Sequence, residues 1–514
     1  MNNKENMPLN GGQPDEEQST VFSTPPEHND YKENVTKKRV LTLVGAVLGV
    51  AAAVGCIFAA IKLIPDKKSG TDKNSEVSVI SETASKITGL SVASKDDSAE
   101  FYFEKNEETT SSETVSTNLP STGSDSGESI TWYMKDIEKR KVDSSLIRNF
   151  ADSAVSLKGV PLESGEDALF GFDDPAYTVA VKTEENEYTV VFGDEMASGG
   201  RYMKVSGGAD GIYSASADTV KALCKKSIDF ASKTAYSQVE FKTDTSEYRN
   251  SGGALERFDS LTVSGTRYGG TYKFVMNDNA VTKNSVPYLV VTPQNAYAGN
   301  VDTLMKLYTD SLGVEGGYSY TATDSDLKEY GLDDPDYQFV LNIKGEEKTF
   351  KISITDSEYC AVLSDDFPMI RKVKIKYLPF KDLKTGDFYY SGLIPFEAKD
   401  IKTVSVKCGD ISANLTVTAD ENSAVTVKNG DKTVKDFDTL ISAIKGMSPV
   451  YKNGENAENG DCVFVFTLTD GTGFTLSFKK GDGTKYFFTA GDAAGRVTAS
   501  AYGKLKETAE QILK

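Results

Sequence analysis

Histidine is almost absent from this sequence of 514 residues, in which only His28 occurs. Ser-His-Asp catalysis, Cys-His catalysis and histidine-ligated zinc all need imidazole, so these chemistries are disfavoured beyond residue 28. Cysteine is also scarce, and none of the five cysteines has C-x-x-C spacing, which disfavours a metal cluster. The sequence therefore predicts no catalytic residue, no metal site and no cofactor.

Basic residues are too few to balance the acidic ones, at 57 against 76, and the net charge is −19. Because nucleic-acid affinity depends on basic patches, no nucleic-acid partner is expected. Hydrophobic residues make up 39% of the chain, an ordinary globular value that excludes a wholly disordered protein. At roughly 150 residues per domain, this length predicts about three folded units.

An uncharged apolar run covers residues 40–61, and as a helix it would span about 33 Å, enough to cross a bilayer. The range 37–64 is thus interpreted as a transmembrane helix with a basic flank, in contact with the lipid bilayer through residues 40–61. Basic residues lie on both sides, and the long C-terminal part favours a cytoplasmic N-terminus with the bulk of the chain extracytoplasmic. A cleaved secretory signal is the alternative, although its basic region would be unusually long.

Small residues within this run allow two further interpretations. Gly45 and Gly49 form a small-xxx-small pair that would let two helices approach closely as a homodimer. Cys56 follows Ala53, Val54 and Gly55, which loosely matches the box that precedes a lipidated cysteine. The apolar run continues beyond Cys56, however, so an ordinary anchor is preferred over lipidation.

Three segments have the composition of flexible chain. Residues 1–36 are acidic and proline-rich and predict a disordered cytoplasmic tail. Residues 65–85 predict a flexible stalk, and residues 105–128 predict a Ser/Thr-rich insertion. Residues 119–123 match a sortase signal, but a long folded region follows them, so the match is interpreted as chance.

A motif is repeated 160 residues apart, because Gly171-Phe172-Asp173-Asp174-Pro175 recurs as Gly331-Leu332-Asp333-Asp334-Pro335. A helix start precedes each copy, and a third such start lies further on, with Asp143, Asp302 and Asp438 as the expected caps and Leu146, Leu304 and Leu440 as the first buried positions. The chain is therefore divided into repeat unit 1 (86–235), repeat unit 2 (236–392) and repeat unit 3 (393–514).

Each unit begins with two alternating runs that predict a hairpin, residues 90–92 with 101–103, 261–263 with 272–275, and 404–406 with 415–417. Further alternating runs after the helix, such as 337–343 and 349–354, predict an antiparallel meander. Amphipathic segments at 217–228 and 501–513 predict closing helices. The expected fold class is α+β, with tandem repeats of antiparallel sheet plus helix preceded by a single transmembrane helix.

The paired carboxylates of the repeated motif have two interpretations. Asp173 with Asp174, and Asp333 with Asp334, would suit calcium binding or acid-base chemistry. In the structural interpretation, glycine permits a turn, aspartate bonds the local backbone and proline fixes φ before the strand. The structural interpretation is preferred, since unit 3 replaces the motif with the Gly/Asn-rich stretch 453–460.

The segment from Asp326 through Tyr330 and Gly331 to Pro335, followed by alternating strands, resembles the signature of the domain of unknown function 4340 family. Unit 1 is similar at 168–175, 188–193 and 200–205, whereas unit 3 lacks the turn. The resemblance implies a bacterial envelope protein with an N-terminal membrane helix, and some members accompany ABC-transporter components. The family has no established catalytic residues, so none are transferred.

The sequence leaves the state of Cys224, Cys360, Cys408 and Cys462 open, with small buried residues preferred over disulfides. The expected function is a non-catalytic, membrane-anchored extracytoplasmic scaffold or binding protein of a bacterial cell envelope. Its partners would be other envelope or ABC-transporter proteins. The alternative is a carboxylate-dependent hydrolase or transferase acting on cell-wall glycans, which needs no histidine.

Overall fold

A computed structural model describes residues 75–106, 129–234, 258–457, 459–481 and 483–514.

The first sheet is built from nine short segments of alternating buried and exposed side chains. In chain order the strands are β1 (Val77–Ser78), β2 (Ile87–Ser94), β3 (Ser98–Asn106), β4 (Ser129–Met134), β5 (Lys158–Pro161), β6 (Tyr177–Thr183), β7 (Glu187–Glu195), β8 (Arg201–Ser206) and β9 (Gly211–Ala215). Their order across the sheet is β1-β5-β9-β8-β7-β6-β2-β3-β4.

The second sheet also has nine strands, all paired antiparallel. They are β10 (Ser260–Ser264), β11 (Tyr272–Met276), β12 (Tyr288–Thr292), β13 (Ala296–Tyr297), β14 (Val314–Ser319), β15 (Tyr337–Ile343), β16 (Glu346–Ile354), β17 (Tyr359–Ser364) and β18 (Phe367–Lys374). The order across the sheet is β13-β12-β11-β10-β15-β16-β17-β18-β14.

The third sheet repeats the arrangement of the second. Its strands are β19 (Ile401–Cys408), β20 (Ile411–Ala419), β21 (Val425–Asn429), β22 (Lys432–Val434), β23 (Val450–Tyr451), β24 (Cys462–Leu468), β25 (Gly473–Lys480), β26 (Lys485–Ala490) and β27 (Ala493–Thr498). The order across it is β22-β21-β20-β19-β24-β25-β26-β27-β23, position for position that of the second sheet. The first sheet shares eight of these positions and differs only at its edges.

Six α-helices are described, and they are α1 (Ser144–Val155), α2 (Ala217–Leu223), α3 (Val301–Thr309), α4 (Asp324–Glu329), α5 (Phe437–Lys445) and α6 (Ala499–Leu513). Helices α1, α3 and α5 occur at the same point of the chain order in each unit, between the opening strands and the meander. Each has one apolar stripe that packs into the core of its sheet.

The predicted α+β class is wrong, because the described part of the chain has 27 strands against six helices and is mainly antiparallel β. The three predicted hairpins are present, with Leu90 opposite Phe101, Leu261 opposite Phe274 and Val404 opposite Leu415. The sequence pattern missed the short outer strands, since two to four residues are too few for alternation to be recognised. With those strands added, the sheets rather than sheet-plus-helix pairs dominate the fold.

Helix starts follow the aspartate prediction in one case of three. Asp143 caps α1 and accepts a hydrogen bond from the Ser145 backbone at 2.9 Å. Helices α3 and α5 begin earlier than predicted, after Asn300 and Asp436, which have left-handed backbone. The earlier starts bury Val301 and Phe437, and they leave the predicted caps in the first turn, where acidic side chains suit the helix dipole.

The exposed edge of the first sheet, strand β4, has its outward-facing backbone groups occupied by side chains of α1. The Trp132 N–H donates to Ser144 Oγ at 2.8 Å, and Arg148 donates to the Ile130 carbonyl. In the other two sheets the equivalent strands, β12 and β21, are instead paired with the short strands β13 and β22. Unpaired strand edges invite pairing with other chains, so each sheet protects this edge.

The second and third sheets meet through a buried glutamine. Gln294, 6% exposed, donates to the Ala494 carbonyl at 3.1 Å and accepts from the Ala494 N–H at 3.0 Å. Beside it, the rings of Tyr389 and Tyr451 stack with centroids 4.7 Å apart. A glutamine side chain thus pairs with the backbone as a neighbouring strand would.

The first and second sheets share a core. Tyr320, Phe367 and Met369 of the second unit are buried among the core residues of the first. The Tyr320 hydroxyl donates to the Ser227 carbonyl at 2.9 Å, and Lys141 Nζ donates to the Tyr320 carbonyl at 2.9 Å. These contacts hold the two sheets in a defined relation.

The single-pass membrane prediction, with its cytoplasmic N-terminus and extracytoplasmic units, is contradicted within the described residues, where no helix is both long and apolar enough to cross a bilayer. The longest, α6, has 15 residues, fewer than the roughly 20 that a crossing needs. The predicted tail 1–36 and the predicted helix at 40–61, with Gly45, Gly49 and Cys56, lie outside the described residues. So does most of the insertion at 105–128.

The predicted stalk also ends sooner than expected. Residues Val77 and Ser78 form β1, which pairs with β5, and the side chains of Val79 and Ile80 are buried in the first core. The polar residues around this short apolar stretch concealed it in the sequence. From residue 77 onward the segment belongs to the first sheet.

Candidate interaction surface on the third sheet

The repeated Gly-x-Asp-Asp-Pro motif forms a turn that leads into an interior strand, β6 in the first sheet and β15 in the second. Gly171 and Gly331 have φ of 74° and 69°, the left-handed conformation that the turn interpretation requires. A Cβ atom on Gly171 would lie 2.5 Å from the side chain of Asp194, so glycine is needed there for space as well. The backbone conformation of the turn therefore explains why glycine begins the motif.

The paired aspartates of the second copy point into solvent. Asp333 and Asp334 are exposed, whereas the half-buried Asp336, which follows the proline, bonds the surrounding chain. Its carboxylate accepts from the Ile354 N–H at 2.7 Å and from Arg267 Nε at 3.2 Å. The acid that organises the turn is therefore outside the repeated pair.

Neutralising the exposed pair should have little effect. We expect Asp333→Asn with Asp334→Asn to change the free energy of unfolding by less than about 0.5 kcal/mol, as is usual for exposed sites. The contrasting variant Asp336→Asn should cost about 1–3 kcal/mol, because it weakens hydrogen bonds to a charged acceptor. Urea unfolding with and without calcium measures both. A calcium-dependent stabilisation of the wild type that the double variant lacks would contradict the structural interpretation.

Metal and thiol chemistry find no support in the described residues. Across those ranges no group of three His, Cys, Asp or Glu side chains is arranged to hold a metal ion. Burial raises the pKa of Cys224 to about 12 and that of Cys360 to about 12. Both thiols are therefore protonated at neutral pH and are poor nucleophiles.

The other two cysteines of the described residues form a disulfide, one of the alternatives that the sequence left open. Cys408 and Cys462, 54 residues apart, are opposite each other on the neighbouring strands β19 and β24. Both are fully buried. The bridge joins the opening hairpin of the third sheet to its meander.

The strands of the third sheet have an unusual charge distribution for a protein of net charge −19. They contain no Asp or Glu, whereas both other sheets have acidic residues within their strands. Their eight basic residues are Lys402, Lys407, Lys428, Lys432, Lys479, Lys480, Lys485 and Arg496. The acids nearby, such as Asp410, Asp431 and Asp470, lie in the turns between strands.

One face of this sheet is open over part of its width. Helices α5 and α6 pack on the opposite face, where their apolar residues join the third core. We call the other side the outer face. It is formed mid-sheet by exposed residues of five adjacent strands, which are Ser405, Lys407, Ser412, Asn414, Thr416, Thr418, Thr426, Lys428, Val465 and Thr475.

The outer face is continuous across the strands. Ser405 lies between Asn414 on one side and Val465 on the other, and Val465 in turn is opposite Thr475. Neighbouring strands are about 4.8 Å apart, so five strands make a surface roughly 19 Å wide. Val465, next to β19, the middle strand of these five, is 43% exposed.

The lysines of the outer face have no ion-pair partner among the described residues. Lys428 is opposite Thr416, and Lys407 is opposite Ser412, so their cross-strand neighbours are neutral. In contrast, Lys445 on the helical side is paired with Glu397. The outer face is thus a positive, hydroxyl-rich surface on an acidic chain.

The rest of the outer face is covered by the connection between β23 and β24. Ala457 of this connection is fully buried, its N–H donates to Thr489 Oγ1 at 2.9 Å, and its carbonyl accepts from Ser477 Oγ at 2.9 Å. Glu455 in the same connection lies 3.6 Å from Arg496. The equivalent connections of the other two units contain the Asp-Asp motif.

A cavity of about 420 Å³ lies where β26 and β27 meet the start of α6. Lys485, Arg496, Val450 and Thr498 line it, and its nine lining residues include no Asp or Glu. Paired carboxylates, which glycoside hydrolysis needs, are therefore missing from this cavity.

Sequence reasoning missed the outer face because it summed charge over the whole chain. The signal was present in the sequence, since within 401–498 every acid falls in a turn, a connection or helix α5, and every strand is acid-free. The strands had to be assigned before this separation could be recognised.

No protein-family model matches the chain, and neither the curated proteins nor the solved structures include a match to it. The resemblance to the domain of unknown function 4340 family stays a prediction.

Proposed function

We propose that this protein is a non-catalytic binding protein that presents the outer face of its third sheet to an acidic protein partner. The observation that supports this proposal is the absence of acids from all nine strands of that sheet, in a chain with 76 acidic residues. Charge complementarity of this kind steers partners together and selects among them.

The character of the outer face favours a protein over other polyanions. Base or sugar rings are commonly bound by exposed aromatic platforms, whereas the mid-sheet residues of this face are threonine, serine, asparagine, lysine and Val465. The net charge of −19 opposes nucleic acid at longer range. A sheet surface with hydroxyl donors, an exposed aliphatic residue and two lysines that have no ion-pair partner among the described residues suits an acidic protein surface.

Reversing the charges of the two lysines on the outer face should weaken the binding of an acidic partner. With poly-L-glutamate as the probe at 50 mM salt, we expect Lys407→Glu combined with Lys428→Glu to weaken binding at least tenfold, measured by titration calorimetry. The control Lys435→Glu combined with Lys504→Glu changes the net charge equally, but Lys435 precedes Asp436 at the start of α5 and Lys504 lies on α6, so it should leave binding near the wild-type value.

Three results would contradict the proposal. The first is no wild-type binding to the probe at low salt, and the second is equal weakening by the two double variants. Tighter binding to heparin than to poly-L-glutamate is the third, since it would replace the acidic protein by a sulfated glycan.

The alternative of a carboxylate-dependent glycan hydrolase or transferase needs two carboxyl groups about 5 to 10 Å apart in a cleft. The cavity beside α6 contains basic and hydroxyl side chains instead. The exposed aspartates of the repeated motif lie on turns. We therefore retain the binding function.

A further inference from the structure

Arg371 is the most deeply buried charged residue described in the protein. It lies on β18, where the second sheet packs into the core of the first, and its side chain is 0% exposed. Its Nη1 donates to the carbonyl of Ser232 in the first unit. The guanidinium is thus enclosed at the junction of the two sheets.

The other edge of this guanidinium has no partner. Nε and Nη2 are both buried and have no hydrogen-bond acceptor within the described residues. Their N–H groups point the same way and form the two-pronged edge with which arginine binds two oxygens of one carboxylate. An unmet buried donor pair is costly, and buried charges in proteins are usually paired.

The surroundings are positive. Arg140 and Arg371 approach the ring of Phe367 with guanidinium carbons 4.9 and 4.7 Å from its centroid. Lys141, half-buried, has its pKa lowered by burial, and nearby Arg371 contributes to the lowering. Among the described residues, Glu138 is the only carboxylate that forms an ion pair with any of these three basic side chains. It is bound to Arg140 and lies 4.0 Å from Lys141.

Burial also lowers the pKa of Arg371 to about 10, so the guanidinium is still protonated at neutral pH. A protonated, enclosed guanidinium with a free two-pronged edge needs a counter-ion. The described protein supplies neutral carbonyl groups and aromatic rings here, among them Ser232, Tyr320 and Phe367.

We propose that Nε and Nη2 of Arg371 bind a small carboxylate, such as formate or acetate, at the junction of the first and second sheets. The two oxygens of the ligand accept one hydrogen bond from each nitrogen. Full enclosure restricts the site to small ligands, and the neighbouring Arg140 and Lys141 supply the complementary field. A bound carboxylate then stabilises the junction between the sheets.

The test compares two carboxylates at equal ionic strength, with the full chain. Sodium formate should raise the midpoint of thermal unfolding in a saturable way, whereas sodium gluconate, whose carboxylate has a bulky substituent, should not. In Arg371→Met the formate effect should be lost, and in the control Arg267→Met, which removes an exposed guanidinium that is bonded to Asp336, it should persist. Equal responses to the two salts, or a formate effect that survives Arg371→Met, would overturn the site.

A wild-type crystal soaked in formate tests the site even if Arg371→Met does not fold. We expect density for a planar carboxylate with an oxygen near 2.9 Å from each of Nε and Nη2. A single water at both nitrogens, or no density there, would contradict the proposal.

Discussion

Replacing both bridged cysteines, Cys408→Ala with Cys462→Ala, should lower the free energy of unfolding by about 4 kcal/mol. The bridge closes a loop of 54 residues, and the loss of unfolded-chain entropy for such a loop is roughly 4 kcal/mol in the chain-entropy model. Denaturant unfolding of the variant and the wild type measures the difference.

Reducing agent provides the control for this prediction. Dithiothreitol should destabilise the wild type toward the double variant and leave the double variant unchanged. Cys360→Ala, which truncates a buried thiol without removing a bridge, should cost only the packing lost from a small cavity. A wild type that is indifferent to the reducing agent would show that the bridge does not stabilise the folded chain.

Gln294→Ala should cost about 2–4 kcal/mol. It leaves the Ala494 N–H without a partner at a buried position, which costs about 1–3 kcal/mol, and it removes one of two hydrogen bonds to the Ala494 carbonyl, which still accepts from the Lys452 N–H. The neighbouring Asn295 binds Asp492 at an exposed site, so Asn295→Ala should change stability by less than about 0.5 kcal/mol. Chemical unfolding of the two variants measures the contrast.

A third variant separates hydrogen bonding from packing at this junction. Gln294→Met keeps most of the side-chain volume and removes both hydrogen bonds, so it should be nearly as destabilised as Gln294→Ala. Recovery of wild-type stability by methionine would mean that volume, and not the pairing with Ala494, holds the sheets together.

The long strands of this fold could be predicted from sequence, but its edges could not. Residues 337–343 alternate cleanly and are β15 as expected, because one face of the strand is buried and the other is not. The two-residue strands β1, β13 and β23 exist only because a neighbouring strand offers unpaired backbone groups. Such pairing depends on tertiary context, which a local pattern does not contain.

The outer face of the third sheet could be predicted only in part, because it also depends on tertiary context. The lysines and acids of the third unit are visible in the sequence, yet the acid-free face depends on which residues lie in strands and which lie in turns. Gln294 and Arg371 gave no local signal at all, because each acts across a junction between units that are distant in the chain.

The two ways of protecting the outer edge of a sheet have a consequence for how such a chain is enlarged. In the second and third sheets a short strand, β13 or β22, pairs with this edge. In the first sheet the side chains of Ser144 and Arg148 bond the backbone of β4 instead. Each module therefore has its own barrier against fibril growth before it is joined to the next. Duplication of a unit in evolution would therefore add a unit whose sheet edge is already protected, without an aggregation-prone intermediate.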